Sequence, residues 1–355
     1  MRARPVTSPR RLLGTLAAAG AVLTLAACGG GSDAGAPEAS GSPSTGSSTG
    51  SASEGAFPVT IDSALGEATI EEAPQRVVTV GWAAQDAAVA LGVTPVGIPT
   101  DAWSGDAEGY QPWFREAVED DGGDLPTTYA DLPTVDVEAI VEMEPDVVLA
   151  PLSGLDQGVY DQLSAFAPVV AYPDGPWIST WQEVIDLTGQ ALGKPDEAAE
   201  LVASVEDMIT GAGAENGDLA GKTFAYAYIG EPGQLAFYPE TDARVSFLTS
   251  LGMELAPSVA ALEIPEGSFY ASISLENADV LDDVDVLISW YNSPEEQAAA
   301  ESQPLFAQIP AVQRGSYLPM VDRQLAAATT VVTPLSVPWA IDRYVPLVAE
   351  AAAKA

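Results

Sequence analysis

The side chains that most often carry enzyme chemistry are scarce in this chain. It has no histidine and one cysteine, Cys28. Ser-His-Asp and Cys-His catalysis therefore cannot be assembled, nor can His-rich zinc or manganese sites, His ligation of haem, or a Cys-based metal cluster. What remains is carboxylate: 51 Asp and Glu residues, a group that in suitably spaced pairs hydrolyses glycosides. No pair stands out from the acidic background, and an enzyme is not expected. Two carboxylates stand out for another reason. Glu138 in DVEAIVEMEPDVVLA (136–150) and Glu276 in SLENADVLDDVDVLIS (274–289) each sit two residues past a polar helix-start residue, Asp136 or Ser274. In both copies an Asp then opens an apolar run, so a short helix carrying the Glu feeds a buried strand.

Charge narrows the partners. With the four arginines of the first 27 residues set aside, nine basic residues face 51 acids, a balance of −42. Nucleic acid and anionic lipid are poor partners for such a surface, and each remaining Arg is conspicuous. The start, MRARPVTSPRRLLGTLAAAGAVLTLAAC, has a basic head, an apolar stretch and a run of small residues, the pattern of a secretory signal over 1–27. Its apolar run of about 16 residues is shorter than the ~20 a spanning helix needs. LAAC resembles a bacterial lipoprotein box, which makes Cys28 the lipidated residue and the lipid the only contact with the membrane. Residues 28–56 are mostly Gly, Ser, Ala, Thr and Pro, a flexible tether with a root-mean-square reach of roughly 30 Å.

The elements that must position the two glutamates come in α/β order. PQRVVTVG (74–81) reads as a buried strand, WAAQDAAVALG as a helix and TPVGIPT as a strand. YQPWFREAVED, the Glu138 helix, the strand at 146–150, the helix in LDQGVYDQLSAFA, the strand PVVAY and a helix from 179 to 192 continue the alternation. A parallel sheet covered on both faces is expected over 57–194. From Pro195 a stretch without an early breaker predicts a helix over 195–213, whose run up to Gly211 spans roughly 25 Å at ~1.5 Å per residue. The alternation then restarts over 214–355 with GKTFAYAYIG, DARVSFLTSLG, the Glu276 helix, DVDVLISW, SPEEQAAAES, GSYLPMVD and a terminal helix. Glu138 and Glu276 thus occupy corresponding places in two similar Rossmann-like lobes, each with a parallel sheet, bridged by a single long helix.

PQRVVTVGWAAQDAAVALGVTPVGIP, DVEAIVEMEPDVVLAPLSGL, AFAPVVAYPDGPW, DARVSFLTSLG and IPAVQRGSYLPMVD, in that order, resemble segments of the ferric-siderophore substrate-binding proteins of ABC importers. The resemblance runs from about residue 57 to the end of the chain. It implies the class III periplasmic-binding-protein fold, with ligand in a shallow cleft between lobes, and permease docking through Glu138 and Glu276. It implies as partners a ferric siderophore and an ABC permease with its ATPase, an anchored position on the outer face of the cell membrane, and a working monomer. No protein cofactor is implied, because the chelator's oxygens fill the shell of Fe(III). A bulky, partly aromatic complex needs aromatic walls and a few cations. The candidates at strand ends or in loops are Trp82, Trp103, Tyr110, Trp177, Trp290 and Tyr291. Of these, Trp103, Tyr110 and Tyr291 are favoured because Gly, Ser, Asp and Asn surround them. Arg244 starts a helix, where the helix dipole disfavours a cation; the resemblance implies that it faces the cleft and contacts the ligand, against the alternative of an ion pair with nearby acids. Arg323, beyond a strand, is the second candidate cation. Arg115 and Arg343, within helices amid acids, are expected to form surface ion pairs, and Trp113, Trp181 and Trp339 to serve packing. Two cleft cations suit a neutral or cationic hydroxamate complex better than an anionic tris-catecholate. Cobalamin or haem binding within the same transporter class, and a non-transporting role at the cell wall, are the alternatives.

Overall fold

The apolar runs VVT and VVLA form the centre of a five-stranded parallel sheet. The computed structural model describes residues 56–265 and 268–355. The leader expected over 1–27, Cys28 and all but the last residue of the expected tether lie outside the described residues. The first half opens with an antiparallel hairpin, β1 (Val59–Ser63) and β2 (Gly66–Ile70). It continues with β3 (Val77–Thr79), α1 (Ala84–Ala90), β4 (Gly97–Pro99), α2 (Pro112–Asp120), β5 (Thr127–Tyr129) and α3 (Val137–Glu142). Then come β6 (Val147–Ala150), α4 (Gln157–Leu163), β7 (Val169–Ala171) and α5 (Trp181–Ala191). The strand order is β5-β4-β3-β6-β7. Val77, Val147 and Leu149 pack with α1 and α5, whereas Val78, Val148 and Ala150 pack with α3 and α4. The period of two along each strand therefore buries both faces under helices.

Helix α6 runs from Pro195 to Glu215, two residues past the expected end. Pro195 occupies its first turn, where no backbone donor is needed. Ala198, Val205, Ile209 and Gly213 are its buried stripe, and a large apolar side chain so buried contributes roughly 1.5–3 kcal/mol.

The second half contains β8 (Thr223–Tyr228), β9 (Gln234–Phe237), α7 (Ala243–Ser250), β10 (Glu254–Leu255), α8 (Pro257–Ala260) and β11 (Ala271–Ser274). It ends with β12 (Val286–Trp290), α9 (Pro294–Glu301), α10 (Pro310–Arg314), β13 (Tyr317–Met320), α11 (Arg323–Thr330) and α12 (Ser336–Ala352). The order is β11-β9-β8-β12-β13, with β10 beside β8. This sheet corrects the expectation of two parallel sheets. β9 is antiparallel to β8, and β11 to β9. Only residues 229–233 join β8 to β9, and a parallel crossover needs a dozen residues or more, so the chain returns antiparallel.

α6 is not the sole link between the halves. Trp113, Phe114 and Val118 of α2 share one apolar cluster with Val205 and Ile209 of α6 and with Tyr344 and Val345 of α12. A polar contact lies beside it. Asp86 on α1 is fully buried and accepts hydrogen bonds from Trp113 Nε1 (2.8 Å) and from Thr333 Oγ1 (2.5 Å), between α11 and α12. Its other oxygen, Oδ1, has no partner among the described residues. Burial pushes the Asp86 carboxyl up to about 6, although both hydrogen bonds oppose the rise. The Trp113 ring packs on Trp339 of α12 at 5.4 Å, and the Arg343 guanidinium covers Trp339 at 3.8 Å. Arg343 is thus a cation–π partner rather than the ion-pair member expected from its acidic neighbours.

Candidate functional site

The loops that leave the carboxyl ends of the strands carry nearly every residue of interest. In the first sheet, β3 and β6 are neighbours whose following helices, α1 and α4, cover opposite faces. A crevice opens at such a reversal, outside the carboxyl ends of the strands. Trp82 follows β3. Its N–H donates to Leu152 O at 2.9 Å, and Gly81 N–H donates to the Asp131 carboxylate at 3.1 Å. Burial pushes the Asp131 carboxyl up against that hydrogen bond. Gly81 has φ +80°, and a Cβ there would meet Leu152 O at 2.3 Å, so only glycine lets the two loops come this close. Trp177, after β7, lies with its ring centroid 4.9 Å from that of Trp82. A Cβ on Gly154 would stand 2.5 Å from Trp177 Nε1, so the bare glycine is the floor on which the indole rests. Trp82 and Trp177 remain 43% and 38% exposed, and with exposed Ile178 they form an apolar platform.

The second half supplies its own run of aromatics. Tyr228 ends β8 and stacks on Trp290, at the end of β12, with centroids 4.6 Å apart. Trp290 Nε1 donates to Tyr238 Oη at 3.1 Å. The Tyr238 ring covers the Arg244 guanidinium at 3.5 Å on one side and lies near-parallel to Phe269 at 6.5 Å. Phe269 is 66% exposed. Tyr228 Oη donates to Glu296 Oε1 at 2.6 Å, and burial together with that carboxylate pushes the phenol well up.

Trp103, from the loop after β4, joins the two halves. It meets Trp290 edge to face at 5.6 Å, and its Nε1 donates to Asn292 Oδ1 at 3.0 Å. Arg323 Nε donates to Asn292 O at 2.8 Å and its Nη1 to Trp103 O at 3.4 Å. The structure therefore pairs Trp82 with Trp177 in the first half, links Trp290 to Arg244 through Tyr238 in the second, and brings Trp103 and Arg323 together where the halves touch.

Two favoured walls are not at this surface. Tyr110 is buried, stacks on Phe114 and donates from its hydroxyl to Pro126 O at 2.6 Å. Tyr291 is 0% exposed, and its hydroxyl shares a 2.7 Å hydrogen bond with that of Tyr317. Polar neighbours in the sequence mark a turn, but the side chain of a turn residue can point inward, and these two do. Arg244 takes the ion-pair alternative: Nε and Nη2 donate to the two oxygens of Asp242 at 2.7 Å each. Asp242 caps α7 by accepting from Arg244 N–H, which gives the cation at this helix start its local partner. Arg115 forms the expected surface pairs with Asp106, Glu108 and Glu119. Tyr228, Tyr238 and Phe269 escaped the sequence reading. Tyr228 ends β8 two residues before Gly230, and Tyr238 follows β9 directly before Pro239; a strand end beside glycine or proline was the signal that would have found them.

Glu138 and Glu276 are both exposed. Each lies in the first turn after a capping side chain, Asp136 or Ser274, and each turn precedes a central strand, β6 or β12. Beside Glu138 lies an open groove of about 650 Å³, lined by Val137, Val141, Asp161, Gln162 and Phe166.

Residues 77–317 match the family described as periplasmic binding protein. A probable siderophore-binding lipoprotein of Bacillus subtilis is 29% identical over 165 residues, 46% of this chain and 47% of the relative, so the match spans about half that protein's length. Among solved structures, PiaA of Streptococcus pneumoniae in complex with ferrichrome superposes with a TM-score of 0.75 at 33% identity, covering 83% of this chain and 99% of that one. A periplasmic solute binding protein of Mycobacterium smegmatis does so with a TM-score of 0.71 at 31% identity, covering 83% and 98%.

Proposed function

The chain belongs to the periplasmic binding protein family, and from that premise we propose that it captures a ferric siderophore between its halves and delivers it to an ABC importer. The observation that carries this reading is the placement of two aromatic groups, Trp82 with Trp177 and Tyr228 with Trp290, at the carboxyl edges of two sheets tied together by Trp103, Asn292 and Arg323. Flat apolar walls with a few fixed polar groups suit a rigid complex whose metal is already saturated by its chelator. Iron is cargo in this scheme, and the protein contributes no ligand to it. Glu138 and Glu276 dock the loaded protein on the permease, one from each half. The binding body works as a monomer outside the cell membrane, held there by lipid on Cys28. The shared cluster of α2, α6 and α12 limits closure to a small adjustment, since a packed interface resists hinge motion more than a bare linker does.

The test is a titration of the apo-protein with ferric hydroxamates, catecholates and citrate-type complexes, with cobalamin and haem alongside, read by tryptophan fluorescence. Quenching by a ferric complex at nanomolar to micromolar concentration is expected. Saturable quenching by cobalamin or haem alone would overturn the assignment.

A further inference from the structure

We propose that the cleft selects ferric complexes without net negative charge, of which the tris-hydroxamates are the matching class; the inference rests on the siderophore reading above. The reason is a census of cations. All nine basic residues beyond the leader lie among the described residues, and seven of them are held away from the cleft groups. Arg115 serves three carboxylates, Lys354 pairs with Glu350, and Arg343 lies on Trp339. Arg76, Lys194, Lys222 and Arg314 donate to the main-chain carbonyls of Met143, Leu91, Ala355 and Val284.

The two cations that reach the cleft are already engaged. Arg244 forms a forked pair with Asp242, both oxygens at 2.7 Å, and the Tyr238 ring covers its face. Only 12% and 13% of the two side chains are exposed, so the pair meets a ligand as a nearly neutral unit. Arg323 directs Nε to Asn292 O, and Asn292 N–H and side-chain amide in turn donate to Glu296. Arg323 is thus held by main-chain carbonyls, and Glu296 is linked to it only through Asn292.

Charge balance then sorts the ligands. Three hydroxamate monoanions cancel Fe(III) and leave a neutral complex, or a cationic one if the chelator carries a free ammonium. Three catecholate dianions leave a charge of −3, against which the census supplies at the cleft only Arg323 without a carboxylate partner among the described residues. A trianion would also approach a body with a balance of −42, which slows encounter at low salt.

The experiment measures affinities of the full chain for four ferric complexes: a cyclic neutral tris-hydroxamate, a linear tris-hydroxamate with a free ammonium, a citrate-type carboxylate complex and a tris-catecholate. Affinity for the tris-hydroxamates at least about a hundredfold above that for the anionic complexes is expected. In Asp242→Asn the cap is kept and Arg244 is released from its counter-charge, so the ratio of tris-catecholate to tris-hydroxamate affinity should rise about tenfold. Equal or tighter binding of either anionic complex by the unaltered protein refutes the charge rule and leaves the siderophore reading standing. Binding of none of the four refutes both.

Discussion

Replacing Asp86 with Asn tests whether the contact between the halves is a buried carboxylate under electrostatic strain. Burial lifts the Asp86 carboxyl from the ordinary 3.8 to about 6 in the folded protein. Because the folded value is the higher one, the stability Asp86 contributes is fully present below about 3.8 and is lost as pH rises through about 6. Above that window the ionised group costs about 3 kcal/mol relative to the protonated one, at about 1.4 kcal/mol per pH unit of displacement. Asparagine does not ionise and escapes this cost at every pH. It also changes the hydrogen bonding: its carbonyl can accept from both Trp113 and Thr333, and its amide takes the place of the unpartnered oxygen. That second effect does not depend on pH, so it cancels when the variant is compared with the parent at two pH values. Near the isoelectric point of about 4.1 the chain carries little net charge and is prone to associate, so the useful pair is about pH 5 and about pH 8. Over that range the folded Asp86 titrates and the unfolded one is already ionised. Asp86→Asn should therefore gain roughly 1 kcal/mol on the parent. Urea unfolding followed by tryptophan fluorescence reads the gain as a shift between midpoints. A difference between variant and parent that stays the same at both pH values would refute a raised carboxyl at this position.

Gly154→Ala places a methyl where the Trp177 indole lies, 2.5 Å from Nε1, so the Trp82–Trp177 platform should break and ligand affinity fall about tenfold, near 1.4 kcal/mol; unchanged affinity would show that the platform takes no part in binding. Tyr291→Phe removes one hydroxyl of the buried pair with Tyr317 and should cost about 1–2 kcal/mol in urea unfolding while leaving affinity intact; weakened binding at full stability would return Tyr291 to the cleft wall. Glu138→Ala combined with Glu276→Ala should abolish uptake of iron complexes by cells and leave binding by the purified protein intact, and normal uptake would remove the docking assignment.

The parts of the site that were legible from the chain were those written in short-range pattern. Trp82 and Trp290 were found because each follows an apolar run that had to be a strand, and the carboxyl end of a parallel strand is where loops form crevices. The same rule, applied to the strand ending at Tyr228, would have found a further wall. Tyr110 and Tyr291 were misplaced because polar neighbours report that a residue lies in a turn and do not report which way its ring points. Short elements escaped as well. β5 has three residues and β9 has four, too few for alternation to be visible.

Sequence by itself determined the α/β alternation, the long helix from Pro195, the repeated setting of Glu138 and Glu276, the strong negative charge and the loss of every catalytic or metal site that needs histidine. These follow from composition and from periods of two and about 3.6 residues, which a linear chain displays directly. Tertiary structure alone decided which aromatic rings face the cleft, and it brought Asp86 to Thr333 and Trp103 to Asn292 across 247 and 189 residues of chain. Whether a side chain ends in the core, in a contact between halves or against a ligand depends on what arrives opposite it. Those partners come from distant segments, and no local pattern records them.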